Sequence, residues 1–116
     1  VQRKYRLTRS TDFKRVRRFG KSYAHPLVVL ITLPNERDAI RIGVTASRAV
    51  GNAVQRNRAK RLLREAARAL LPRIRSGYDI LLLGRAPILQ VKTQDVQDAL
   101  SALLLRAALL IPSDEK

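Results

Sequence analysis

The chain has 116 residues, 46% of them apolar, with 24 Lys and Arg against 9 Asp and Glu and no Cys. That size supports one domain, 1–116, with a modest core, and the missing Cys excludes disulfides, thiolate zinc sites and thiol nucleophiles. The net charge of +15 is lopsided, because residues 1–75 hold 20 basic and 4 acidic side chains while residues 76–116 hold 4 and 5.

Such a concentration of charge opposes folding unless a polyanion neutralises it. Nucleic acid is the expected polyanion, ahead of an acidic membrane. The apolar runs at 27–33 and 103–111 fall short of the roughly 18 residues a membrane span needs. No stretch resembles a signal peptide. A cytoplasmic protein with no membrane partner is expected.

Ser10-Thr11-Asp12 followed by Phe13, Val16 and Phe19 reads as a short capped helix ending at Gly20, with Lys14, Arg15, Arg17 and Arg18 on its other face. Residues 27–33 form a continuous apolar, β-branched run, hence a strand buried on nearly both faces. After a turn cluster at 34–38, Ile40, Ile42, Val44 and Ala46 alternate with Arg41, Gly43 and Thr45, which predicts a half-buried strand and, with the preceding run, an antiparallel hairpin. Asn52 as cap and Gln55 three residues on predict the start of a helix over 53–71. Its apolar positions are Ala59, Leu62, Leu63, Ala66, Leu70 and Ile74. Pro72 and Gly77 close it. Residues 78–84 read as a further strand, and Thr93 as the cap of a last helix to about 110, with Asp95 in its first turn. The order αββαβα predicts a two-layer α+β sandwich.

Function concentrates between Arg48 and Arg68, where seven basic side chains accompany the single acid Glu65. Arg56, Lys60, Arg64 and Arg68 recur every four residues and share one stripe. Like charges so spaced repel, each pair costing a few tenths of a kcal/mol in an isolated helix. A merely solvated helix has no use for that arrangement, whereas phosphates relieve it. Arg56, Arg58, Arg61, Arg64 and Arg68 are also guanidinium groups, which fork onto phosphate and stack on bases as an ammonium does not. Asn57 adds a donor and an acceptor between two arginines, suited to a base edge or a hydrated metal ion.

Val50-Gly51-Asn52-Ala53-Val54-Gln55-Arg56-Asn57-Arg58-Ala59-Lys60-Arg61-Leu62-Leu63-Arg64-Glu65 closely resembles the signature of the bacterial ribonuclease P protein family. The likeness extends to Arg6-Leu7, Asp12-Phe13 with Val16 and Gly20, residues 27–33, Arg41-Ile42-Gly43-Val44, Tyr78-Asp79 and the closing helix. It covers about residues 5–108, nearly the whole chain.

The resemblance implies the non-catalytic protein subunit of a ribonucleoprotein endoribonuclease that removes 5′ leaders from precursor tRNA. The partners are then ribonuclease P RNA and precursor tRNA, with one protein per RNA. Magnesium is the cofactor, bound chiefly by the RNA, which carries the chemistry. Asn52, Arg56, Asn57, Arg58, Lys60, Arg61, Arg64 and Arg68 are expected against the catalytic RNA. Phe13, Arg17, Phe19, Tyr23 and Arg48 are expected at the leader, in a cleft between the first helix and the sheet. No metal is held directly, and Asn57 is the candidate to meet hydrated magnesium. The implied fold is ribosomal protein S5 domain 2-like, with a mostly four-stranded sheet and a left-handed βαβ crossover, against the general right-handed rule. Three positions depart from the family pattern: Arg17 and Ile31 where aromatics are usual, and Ala49 where a second basic residue is common. Leader stacking is correspondingly thinner, with Arg17 left to pair with phosphate or stack on a base.

Protein-based catalysis has little support. His25, before Pro26, lacks a nuclease partner, and Asp95 and Asp98 read as helix-start charges rather than a metal pair. Neither a Gly-rich phosphate loop nor a zinc pattern is present, so no catalytic residue is expected in the protein. A ribosomal protein or RNA chaperone, a self-sufficient metal nuclease and a DNA-compacting protein are the rival classes.

Overall fold

The computed structural model describes Leu7 and residues 9–111; Arg6 lies outside them. The elements are α1 (Ser10–Phe19), β1 (Lys21–Ala24), β2 (Val28–Pro34), β3 (Ile40–Ala46), α2 (Ala53–Leu70), β4 (Tyr78–Gly84) and α3 (Thr93–Arg106). β1 is the fourth strand and has no counterpart in the αββαβα pattern. Three of its four residues are exposed, so it carries no alternation to read. Pairing with β2 makes it a strand.

The strands run in the order β1-β2-β4-β3. β4 is antiparallel to β2 and parallel to β3, so the expected hairpin of 27–33 with 40–46 does not form. β4 separates them because its side chains are buried along most of its length, and a strand apolar on both faces is most stable in the middle of a sheet. Residues 35–39 therefore span two strand spacings, about 10 Å.

Alternation sorts the sheet into two faces. Leu30, Ile42, Ile80 and Leu82 pack with Leu63, Ala66 and Leu70 of α2 and Leu100 and Leu103 of α3. This is the expected two-layer sandwich. On the opposite face Ile31 and Leu81 meet Val16 of α1 and Leu7, so α1 covers part of the second face.

The helix ends match the expectations unequally. At α2 the capping box forms: Gln55 N donates to Asn52 Oδ1 at 3.0 Å and Asn52 N to Gln55 Oε1 at 2.9 Å. At α1, Ser10 is already helical and Arg9 precedes it without a side-chain cap. Asp12 pairs instead with Arg15 and Arg41. Thr93 is likewise the first helical residue of α3 rather than its cap, and Asp95 Oδ2 accepts from Lys92 N at 3.0 Å. That helix stops at Arg106, because Ala108 turns to φ 60° and Leu110 bridges back to Ile74.

One polar cluster fixes α1 to the sheet. The carboxylate of Asp79 on β4 is fully buried. It accepts from Arg41 Nε at 2.9 Å and Nη2 at 2.8 Å, from Asn35 Nδ2 at 3.0 Å, and from Arg15 Nη2. Arg15 therefore turns inward and is not part of the outer basic face of α1. Burial alone would raise the Asp79 carboxyl, but the hydrogen bonds from Arg41, Asn35 and Arg15 prevail and hold it at about 2, below its ordinary 3.8.

A depressed carboxylate stabilises the fold above its unfolded pKa and loses that contribution as pH falls through the folded value. The shift corresponds to about 2 kcal/mol, lost between about pH 4 and pH 2. Asp79→Asn should cost about 3 kcal/mol in urea unfolding at neutral pH, since it removes the buried acid and leaves Arg15 and Arg41 only the longer contacts to Asp12. The gap between wild type and variant should narrow by about 2 kcal/mol from pH 4 to pH 2. A loss under about 1 kcal/mol at neutral pH, within the range of an exposed pair, would show that the cluster does not hold α1.

Candidate nucleic-acid interface

A four-residue step advances about 40° around a helix, so the basic stripe of α2 is not straight. Arg56, Lys60 and Arg64 are half-buried along the margin of the core, and Arg68 emerges exposed. Asn57, Arg58 and Arg61 are exposed on the outer side, opposite the buried Ala59, Leu63, Ala66 and Ala67. Among the described residues, Arg58, Lys60, Arg61 and Arg68 make no ion pair, because the bridges there involve Arg15 and Arg41.

The start of this helix is built tightly. A single turn, Arg48–Val50, leads from β3 to Gly51 at φ 141°, a conformation only glycine adopts readily. A Cβ there would meet Gln55 Oε1, which closes the capping box. Arg56 Nη1 donates to Gly51 O at 3.1 Å, so the first arginine of the stripe also holds the turn.

The cleft follows from sheet register. On the α1 face three rows cross the strands: Leu33–Asp79–Arg41, Ile31–Leu81–Gly43 and Val29–Leu83–Thr45. α1 covers the first two. Asp12 and Arg15 reach the first row, and Phe13 lies on Gly43, where a Cβ would stand 2.6 Å from its ring. Val29, Leu83 and Thr45 stay half-buried, forming an open floor at the end of β3 and β4 where Arg48 and α2 begin. Phe13 borders this floor. Arg17, one helical turn on, is exposed on the same flank of α1.

Phe19 and Tyr23 do not join that cleft. Phe19 is 66% exposed, and its helical position puts it on the Asp12–Arg15 flank, away from Phe13. Tyr23 pairs with Leu30 and packs against the α2–α3 core, so it lies on the opposite face of the sheet. Contrary to the expectation from sequence, the helical turn separates Phe19 from Phe13 and the pleat separates Tyr23 from it.

Val29, Leu83 and Thr45, by contrast, are not legible as a set in the sequence. Period two along 28–34 and 40–46 puts them on one face, but only strand order puts them in one row. Asp79 carried a signal of its own: a lone acid in an apolar strand needs a buried partner.

Among the described residues no three His, Asp or Glu side chains gather, and Asp12 and Asp79 are taken up by arginines. His25 Nδ1 accepts from Leu27 N at 3.1 Å, which makes it a turn residue. No helix of the described residues is long and apolar enough to cross a membrane.

Comparison with known proteins agrees with this geometry. The family model described as Ribonuclease P matches residues 1–108. The ribonuclease P protein component of Chloroflexus aurantiacus is 44% identical, covering 99% of this chain and 87% of its own. That of Herpetosiphon aurantiacus is 39% identical, covering 94% and 89%. The RNase P protein of Staphylococcus aureus superposes with TM-score 0.80 at 34% identity, covering 91% of this chain and 97% of that one. The Thermotoga maritima protein gives 0.78 at 31%, covering 87% and 96%. With matched sequence over nearly its whole length and the same architecture, the chain belongs to the ribonuclease P protein family, the protein components of a tRNA-processing ribonucleoprotein.

Proposed function

We propose that the chain binds ribonuclease P RNA through α2 and the 5′ leader of precursor tRNA through the open row of the sheet, in a complex of one protein per RNA. The observation that carries this reading is the face of α2 on which Arg58, Lys60, Arg61 and Arg68 make no ion pair among the described residues, beside the open row of the sheet. Arg56, Asn57, Arg58, Lys60, Arg61, Arg64 and Arg68 supply the contact with folded RNA, with Asn52 holding the helix start. Phe13, Arg17 and Arg48 border the leader, over a floor of Val29, Leu83 and Thr45. The shallow apolar floor and one aromatic favour a flexible single strand, whose bases are free to stack.

The RNA carries the chemistry. Magnesium belongs to the RNA in this reading, since no carboxylate set gathers to hold it among the described residues. Asn57, exposed on α2, offers its amide to a hydrated ion. The protein contributes charge neutralisation and leader position, in the cytoplasm where precursor tRNA is made.

Two expectations test these roles. Affinity for ribonuclease P RNA should fall steeply with salt: neutralising roughly six phosphates loses about a thousandfold between about 50 and 200 mM. Arg58→Ala and Arg61→Ala should weaken binding and flatten that slope, with thermal midpoints unchanged. An equal loss of stability would assign these arginines to the fold instead.

In cleavage assays with ribonuclease P RNA, Phe13→Ala should reduce the preference for precursor over mature tRNA by about fivefold or more, the effect of one lost stack. Gly43→Ala should do the same by lifting the Phe13 ring, since a Cβ there lies 2.6 Å from that ring and 3.0 Å from Leu7 O. An unchanged preference in both variants would remove Phe13 from the cleft. Tight RNA binding without any stimulation of cleavage would leave a general RNA-binding protein.

A further inference from the structure

The two aromatics that the fold keeps out of the cleft flank the start of the β1 edge, Phe19 on the α1 side of the sheet and Tyr23 on the α3 side. Phe19 ends α1, and Tyr23 lies on β1 four residues later, at most about 13 Å along the chain. β1 is the free edge of the sheet. Arg18 Cζ stands 5.4 Å from the Phe19 ring, and Lys21 Nζ and Arg106 Cζ stand 5.5 and 5.8 Å from that of Tyr23. Arg106 reaches over from α3, where its Nη1 donates to Ala24 O at 3.1 Å.

Arg18, Lys21 and Arg106 are exposed, and no acid pairs with them among the described residues. Two cations drawn to one tyrosine ring repel each other in the free protein, a cost that an anion between them removes. The edge therefore interleaves aromatic faces with unneutralised charge.

We propose that the β1 edge is a second binding track, for single-stranded RNA, with Phe19 and Tyr23 as stacking faces and Arg18, Lys21 and Arg106 as phosphate contacts. Aromatic faces alternating with cations match a flexible polyanion that carries a π-surface on every residue. A second copy of this chain is disfavoured as occupant, because the cations of the two edges would face each other. The identity of the strand, leader upstream of the portion held in the cleft, rests on the reading of the cleft given above.

The first test is fluorescence anisotropy of the full chain with labelled single-stranded oligoadenylate. Phe19→Ala should weaken binding about fivefold or more, the lower end for one lost stack. Phe19→Trp should retain it. Lys21→Gln with Arg106→Gln should shallow the salt dependence by about one to two phosphates. Because Phe19 is exposed, circular dichroism should show the same fold throughout. Unchanged binding in Phe19→Ala overturns the proposal, as does equally strong, equally variant-sensitive binding of labelled polyglutamate, which would make the edge a protein-docking site.

In the reconstituted complex, Phe19→Ala should spare a precursor with a leader of about five nucleotides and lower kcat/KM for one of about fifteen, lengths near the lower and upper ends of what one small site holds. An equal loss on both would return Phe19 to the cleft and overturn the track. If the wild-type chain stimulates neither cleavage, the cleft reading fails, while the oligoadenylate measurement still decides the edge.

Discussion

The Asp79 carboxylate holds this architecture at the point where three separate segments meet. Arg15 comes from α1, Arg41 from β3 and Asn35 from the link after β2, and all three donate to one buried acid. Removing a carboxylate from water is costly, and a single partner seldom compensates for it. Here a two-pronged guanidinium, a second guanidinium and an amide satisfy it together. The cluster clamps one flank of α1 over the first row of the sheet, Phe13 rests on Gly43 in the second, and the third row stays open. The cleft exists because α1 is pinned to one side.

The same cluster explains how acids and bases are distributed. Asp12 and Asp79 are engaged by Arg15 and Arg41, which removes two of the few carboxylates from competition with the surface. Ten of the remaining bases stand on α2, α1 and β1. Self-repulsion of this kind destabilises a free protein and favours a polyanionic partner. In a ribonucleoprotein subunit it is the charge of the RNA that completes the electrostatics. The protein need not carry a catalytic group for its charges to matter.

Reading along the chain succeeds where one element explains itself. The Asn52–Gln55 box, the span of α2 and its buried stripe depend on neighbours three or four residues away, so they are legible. β1 is not: its exposed residues have no period, and β2 makes it a strand. The supposed hairpin fails for a related reason, since a turn between two strands reads the same whether they pair directly or leave room for a third. Phe19 and Tyr23, expected at the leader, are parted from Phe13 by helix phase and pleat.

The sequence by itself determined a basic, cysteine-free α+β domain, its arginine-rich helix and, through the string at 50–65, its family. Those properties are local or compositional, and each survives without knowledge of what packs against what. Tertiary structure alone decided that β4 lies between β2 and β3, that Asp79 binds two arginines from distant segments, and that Val29, Leu83 and Thr45 share a row. It also decided that two aromatics leave the cleft for the free edge. Strand order and face are properties of long-range pairing. They are set by which buried surfaces fit together, and no period within a single segment records that choice.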